Sequence, residues 1–217
     1  MAAVFGPGGT LLNGAAAIGE LVNRGRTPFE GYWRNEAADA ARLRDGWYWT
    51  GDLFYRDADG FLYFAGRTED RLRVDSENLA AAMIENILAR WSDAAAVAVY
   101  AVPDPVAGDQ VMAALALRDG VRFDPDAFAA FLRDQPDLGT KMAPRFLRVV
   151  ESMPVTATNK VHRVGLRREG FWSGGPLWWN GDGGGYVPFG DGQLAPLVRE
   201  YEEHGRHGLL SSHGGGL

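Results

Sequence analysis

Residues 47–85 read WYWTGDLFYRDADGFLYFAGRTEDRLRVDSENLAAAMIE, and the fold follows from how this stretch is parsed. Trp47, Tyr48 and Trp49 predict an aromatic strand that stops at Thr50-Gly51-Asp52. Glycine permits a tight turn there, and Asp52 presents a carboxylate at the strand end. Asp57-Ala58-Asp59-Gly60 lies between two aromatic-rich runs, which is a hairpin signal. The second run, 61–64, leads to Gly66-Arg67, so a fixed cation emerges near the carboxylate of Asp52. Arg71-Leu72-Arg73-Val74 alternates polar and apolar residues as a short strand does. Residues 79–90 read as a helix whose stripe of Leu79, Met83, Ile84, Ile87 and Leu88, continued by Trp91, is core. A carboxylate and a guanidinium on one hairpin suit a sugar diol and a phosphate.

Upstream, Gly6-Pro7-Gly8-Gly9-Thr10 is glycine-rich but lacks the lysine of a phosphate-cradling loop, and it reads as a plain turn between short hydrophobic segments. Residues 18–23 predict a strand, and Gly31-Tyr32-Trp33 leads to a helix over 36–43. Downstream, residues 96–102 (AVAVYAV) predict a buried strand. Pro103-Asp104-Pro105 with Gly108-Asp109 makes a turn, and 111–117 returns as a second strand. Asp124-Pro125-Asp126 starts a helix, with proline near the first turn. Residues 145–150 form a third strand and deliver the chain to Thr156-Ala157-Thr158-Asn159-Lys160. Strands alternating with helices predict a compact mixed domain. After Phe171 the composition shifts to Trp172, Trp178, Trp179 and the glycines 183–185, an irregular tail with a short helix over 194–204. Two readings of these indoles stay open: packing on the domain surface, or a peripheral membrane contact. The closing SSHGGGL reads as disordered.

The 217 residues are 46% hydrophobic and 23% charged, with a formal net charge of −6. That is an ordinary globular composition, long enough to bury a core. The negative balance, with no long basic run, argues against nucleic acid as the main partner. The absence of cysteine excludes disulfides and thiolate chemistry, and the four histidines lack metal-ligand spacing. No run reaches the length of a membrane helix, and no basic n-region precedes an apolar core at the amino terminus. These features point to the cytoplasm, with membrane association left open by the tail.

Thr50-Gly51-Asp52-Leu53, Gly66-Arg67-Thr68-Glu69-Asp70 and Ser76-Glu77-Asn78, followed far downstream by Pro154-Val155-Thr156-Ala157-Thr158-Asn159-Lys160-Val161, together resemble the carboxy-terminal signature of the adenylate-forming enzymes. The resemblance covers residues 15–172. Arg73 to Leu79 and Arg168-Glu169-Gly170-Phe171 are most similar to the fatty-acid-CoA ligase and fatty-acid-transport branch. It implies an α+β fold: the β-rich end of a large adenylation domain over 1–69, then a small mobile α/β domain over 70–172, with 173–217 as the tail. It also implies ATP and CoA as cofactors, a fatty or other carboxylic acid as substrate, and Mg²⁺ arriving with ATP without a ligand from this chain.

Residue by residue, the resemblance implies that Thr50, Gly51, Asp52 and Arg67 bind the nucleotide, with Asp52 on the ribose hydroxyls. Asp70 falls at the hinge about which the small domain rotates between half-reactions. Ser76, Glu77 and Asn78 fall on the loop facing CoA, and Lys160 is the catalytic lysine. One departure stands out: Ser76 occupies a position where these enzymes usually carry glycine, which narrows the backbone's options. The Ser/Thr/Gly-rich loop that would cradle the β- and γ-phosphates is not found in these residues. The sequence therefore reads as the carboxy-terminal part of a longer synthetase, from a truncated gene or a split product, whose partner is the missing amino-terminal part. A non-catalytic remnant serving as an interaction module, or an adenylation domain loading a carrier protein, remain as alternatives.

Overall fold

The computed structural model describes residues 1–6, 11–25, 29–172, 175–181 and 183–211. The turn expected over 6–10 and the disordered end expected over 211–217 therefore lie almost wholly outside the described residues. The chain divides into two compact units, Met1–Asp70 and Arg71–Leu217.

The first unit holds α1 (Gly14–Ala17), β1 (Gly19–Asn23), α2 (Glu36–Arg42), β2 (Leu43–Arg44), β3 (Trp47–Arg56) and β4 (Leu62–Arg67). All three shorter strands pair antiparallel with β3. The strand expected to stop at Thr50 instead runs on through Gly51 and Asp52 to Arg56. Its irregularity is absorbed as a bulge, because Leu53 pairs with Glu20 and Trp49 with Val22, leaving residues 50–52 opposite Leu21 alone. Extra residues in one strand bend it and re-aim its side chains, so the turn chemistry of Thr-Gly-Asp is spent inside the ladder. The hairpin turn holds as expected: Asp57 N donates to Phe61 O at 3.1 Å, and Gly60 sits at φ +93°. A three-residue loop ending in a left-handed glycine is a favoured hairpin closure.

The second unit opens with β5 (Arg71–Val74) and β6 (Glu77–Ala80), an antiparallel pair. Glu77 and Asn78 are strand residues, Leu79 pairs with Leu72, and the helix α3 (Ala81–Leu88) begins two residues later than expected and ends earlier. Only Asp75 and Ser76 form the turn. The apolar run 79–88 looked uniformly helical because a buried strand and a buried helix carry the same residues.

The rest is a mixed five-stranded sheet in the order β11-β10-β9-β8-β7. β7 (Ala94–Pro103) and β8 (Asp109–Leu117) run antiparallel, while β9 (Phe146–Val150) runs parallel to β8. Period-two alternation divides their side chains between two cores. Val99, Val111, Ala113, Leu115 and Leu147 face α3 and α4 (Pro125–Arg133), together with Ile84, Leu88, Trp91 and Phe128. Ala98, Tyr100, Val102, Met112 and Phe146 face the other way, with Leu166 of α5 (Arg163–Glu169). Fully burying a side chain such as Phe128 contributes about 1.5–3 kcal/mol. Asp124 caps α4 as expected, its Oδ1 accepting from Asp126 N and Ala127 N at 3.0 Å.

The expected irregular tail is largely ordered. β10 (Leu177–Trp179) extends the sheet antiparallel to β9 and β11 (Val187–Pro188) follows it, while α6 (Asp191–Glu203) and α7 (Gly208–Ser211) complete the unit. Trp178 packs against the first core and Trp179 against the second, as neighbours on a strand must. Among the described residues no helix is long and apolar enough to cross a membrane.

Candidate functional site

Asp52 and Arg67 are direct partners across β3 and β4. Arg67 Nε lies 2.9 Å from Asp52 Oδ1. That oxygen is shielded from solvent, so what the carboxylate exposes lies on the rest of the side chain. The carboxylate side chain is 30% exposed and the guanidinium 49% exposed. The approach to Asp52 is shaped by Thr50 and Gly51 and also by Glu20 and Arg42, which the sequence did not single out. Thr50 Oγ1 donates to Leu21 O at 2.8 Å and accepts from Asp52 N at 3.1 Å. Gly51 N donates to Glu20 Oε1 at 2.9 Å, and a Cβ on Gly51 would overlap the Arg42 guanidinium. Glu20 therefore holds the bulge from β1. A carboxylate within the apolar strand 18–23 was the available signal for it.

Asp70 closes a 3₁₀ turn, Thr68–Asp70, at the passage from the first unit to the second. Immediately beyond it, β5 and β6 are joined at Asp75 (φ +45°) and Ser76 (φ +69°). Two consecutive left-handed residues make a two-residue hairpin turn that ordinarily recruits glycine. Neither position has one here, and each side chain costs on the order of 1 kcal/mol in this region. The turn is held from outside: Lys141 Nζ donates to Glu77 Oε1 at 2.7 Å and to Asp75 O at 3.4 Å. The hydrogen bond to Glu77 raises the pKa of Lys141. Lys141 is one of two lysines in the chain, against twenty arginines, and that scarcity was a signal the reading did not use.

The other lysine, Lys160, stands on a small hairpin of its own. Val155 bridges Val161, Thr156 N donates to Lys160 O at 2.7 Å, and Asn159 N donates to Thr156 O at 2.9 Å. Asn159 takes the left-handed position at φ +58°, which asparagine tolerates. Lys160 N donates to Thr156 Oγ1 at 3.2 Å, and its side chain is exposed. The threonines thus fold the loop and leave the ammonium presented. Three residues on, Arg163 holds both carboxylate oxygens of Glu85 of α3, its Nη2 donating to Oε1 at 2.9 Å and to Oε2 at 2.8 Å. Glu85 Oε1 also accepts from Val99 N at 2.8 Å. The base of the lysine loop is therefore tied to helix and sheet together, by a carboxylate that in sequence merely interrupts an apolar stripe.

Residues 83–160, which begin in α3 and end at Lys160, match the AMP-binding enzyme C-terminal domain. The chain belongs to the adenylate-forming enzymes, as their carboxy-terminal part. It is 50% identical over 205 residues to the steroid-22-oyl-CoA synthetase of Rhodococcus jostii (strain RHA1), covering 93% of this chain and 37% of that protein. It is 53% identical over 163 residues to the medium/long-chain-fatty-acid–CoA ligase FadD17 of Mycobacterium marinum, covering 75% of this chain and 32% of that protein. Among solved structures, the amide bond synthetase McbA from Marinactinospora thermotolerans superposes with a TM-score of 0.61 at 35% identity, over 77% of this chain and 34% of that one. The chain thus spans about a third of the length of the relatives it matches.

The structure brings Asp52, Arg67, Thr50 and Gly51 together on one bulged strand pair of the first unit. Ser76, Glu77 and Asn78 share the second hairpin, and Lys160 stands on a third.

Proposed function

We propose that the protein containing this chain is an ATP-dependent acid–thiol ligase, which activates a carboxylic acid as its acyl-adenylate and then transfers the acyl group to CoA. The observation that carries this reading is the Asp52–Arg67 pair, a partly exposed carboxylate beside an exposed guanidinium, in a chain half identical to an acyl-CoA synthetase. Asp52 accepts from the ribose hydroxyls of ATP, and Arg67 stays beside it as the fixed cation facing the nucleotide. Thr50 and Gly51 hold Asp52 in place through the bulge. ATP enters with Mg²⁺, whose ligands are not among the residues named here. The relatives' names, a steroid-22-oyl and a medium/long-chain fatty acyl group, favour acids with a large apolar body as substrates.

Lys160 is the catalytic residue of the first half-reaction. An ammonium presented by a tight, exposed hairpin holds the substrate carboxylate against the α-phosphate and offsets charge as attack proceeds. Rotation at Asp70 then brings the Asp75–Ser76 hairpin, with Glu77 and Asn78, to the pantetheine arm of CoA. The test is Lys160→Ala in the protein containing this chain, with the half-reactions measured apart. Pyrophosphate exchange should fall about a hundredfold or more, the loss of one preorganised contact worth roughly 3 kcal/mol. Conversion of supplied acyl-adenylate to acyl-CoA should stay nearly unchanged. Unaltered pyrophosphate exchange would make Lys160 an ordinary surface lysine and remove the reading.

A further inference from the structure

The carboxy-terminal segment, beyond the residues that match the family domain, reaches back to the turn between β7 and β8. Tyr201 of α6 is fully buried in the second core, and its hydroxyl donates to Pro103 O. Just past the helix, Arg206 Nε donates to Asp104 O at 2.9 Å and Nη2 to Gly108 O at 3.2 Å. Arg206 is itself fixed by its N–H to Tyr201 O at 2.8 Å. Three carbonyls of one turn, residues 103–109, are thus held by two side chains of the tail.

That turn is rigid in its own right. Asp104 N donates to Gly108 O at 3.0 Å, and Asp104 Oδ1 accepts from Val106 N at 2.7 Å and Ala107 N at 3.0 Å. Its far side is the seat of β5. Asp109 Oδ2 accepts from Arg73 N at 2.8 Å, and Gly108 approaches so closely that a Cβ would overlap the Arg73 carbonyl oxygen. The chain of contact therefore runs from α6 through the turn into β5. The β5–β6 hairpin needs such a seat, because its left-handed Asp75 and Ser76 are disfavoured by their own chemistry and persist only where surroundings fix them.

We propose that Tyr201 and Arg206 are positioning residues for the β5–β6 hairpin, acting through the 103–109 turn. The tail is then a strap that sets the pose of the hairpin carrying Ser76. The consequence for thioester formation rests on the function proposed above, whereas the consequence for the hairpin does not. A tail that only stabilised the sheet would, when loosened, lower both half-reactions together.

The experiment uses the protein containing this chain and three variants, Arg206→Ala, Arg206→Lys and Tyr201→Phe, each checked for a cooperative melt. Amide hydrogen exchange over residues 71–80 should quicken about tenfold in Arg206→Ala, as expected for a local opening that has lost two hydrogen bonds. Thioester formation from supplied acyl-adenylate and CoA should fall about fivefold, while adenylate formation stays within about twofold. Arg206→Lys, which keeps the charge but offers one donor nitrogen in place of two, should lie between. Tyr201→Phe removes a single hydroxyl and carries the same expectation if Arg206→Ala does not fold. Unchanged exchange over 71–80 overturns the strap, and so does faster exchange with an unaffected thioester step or an equal fall in both steps. A parent protein that forms no acyl-CoA would refute the proposed function, and the exchange measurement would still decide whether the strap exists.

Discussion

The β3–β4 hairpin closes on Gly60, with its own Asp57 accepting from Phe61 N and Tyr63 Oη, both at 2.9 Å. The β5–β6 hairpin closes on Asp75 and Ser76, with no glycine, and takes its support from Lys141 and Asp109, far along the chain. The first turn is specified by the residues that make it. The second is specified by what it is seated against. In the proposed function the first presents the nucleotide-binding pair and the second approaches the acyl acceptor, so the locally encoded element holds and the externally held element moves. A moving element whose pose comes from its seat keeps that pose only while the seat moves with it, and both Lys141 and Asp109 belong to the same unit as the hairpin.

The largest expected effect comes from breaking the seat. Gly108 adopts φ +69° and lies against the Arg73 carbonyl, so Gly108→Ala meets both a left-handed backbone and a collision with another backbone. Backbone cannot yield as a flexible side chain can, and destabilisation of the second unit by about 3 kcal/mol or more is expected in denaturant melts. A loss below about 1 kcal/mol would mean that β5 is not fixed by this turn.

This contrast also explains what was legible. Asp57-Ala58-Asp59-Gly60 between aromatic runs announced the first hairpin, because every residue that closes it lies within the turn or beside it. The pairing of Asp52 with Arg67 followed from the same hairpin. Asp75-Ser76 announced nothing, since neither residue prefers the backbone it adopts; Glu77 and Asn78 read as loop, and Leu79 and Ala80 were absorbed into the helix that follows. Thr50-Gly51-Asp52 looked like a strand end because a glycine bulge and a turn draw on the same residues, and only Glu20 on the neighbouring strand distinguishes them. The segment from Thr156 to Lys160 was legible as a polar loop, and the role of Lys160 on it is the proposal made above. The Glu85–Arg163 clamp and the Lys141 latch join residues too far apart in sequence for any local pattern to show.

A pair of opposite substitutions sharpens the comparison at intermediate size. Gly60→Ala meets no neighbouring atom but must hold φ +93°, so it should destabilise the first unit by about 1 kcal/mol. Ser76→Gly relieves the same kind of strain in the second hairpin and should stabilise it by about 0.5 kcal/mol, the gain being trimmed by glycine's freedom in the unfolded chain. Urea melts of the two variants should therefore shift in opposite directions. Equal destabilisation by both would show that Ser76 is not strained.

The smallest effect concerns the titratable staple of the first hairpin. Partial desolvation acts to raise the pKa of Asp57, but hydrogen bonds from Tyr63 Oη and from the N–H groups of Phe61, Asp59 and Gly60 outweigh it, and the net shift is downward from 3.8. A carboxylate with a lowered folded-state pKa binds protons more weakly folded than unfolded. Its contribution is thus complete above the ordinary value and disappears as pH falls through the folded one. In an NMR titration from about pH 6 to about pH 2, the Phe61 amide and Tyr63 ring signals should move with a midpoint below 3.8. Asp57→Asn should flatten that response, because the amide keeps one acceptor and cannot titrate. The response should also survive Lys141→Ala, since the first hairpin draws its closure from its own residues. A midpoint at or above the ordinary carboxylate value, or a response lost in Lys141→Ala, would show that this turn too depends on something outside itself.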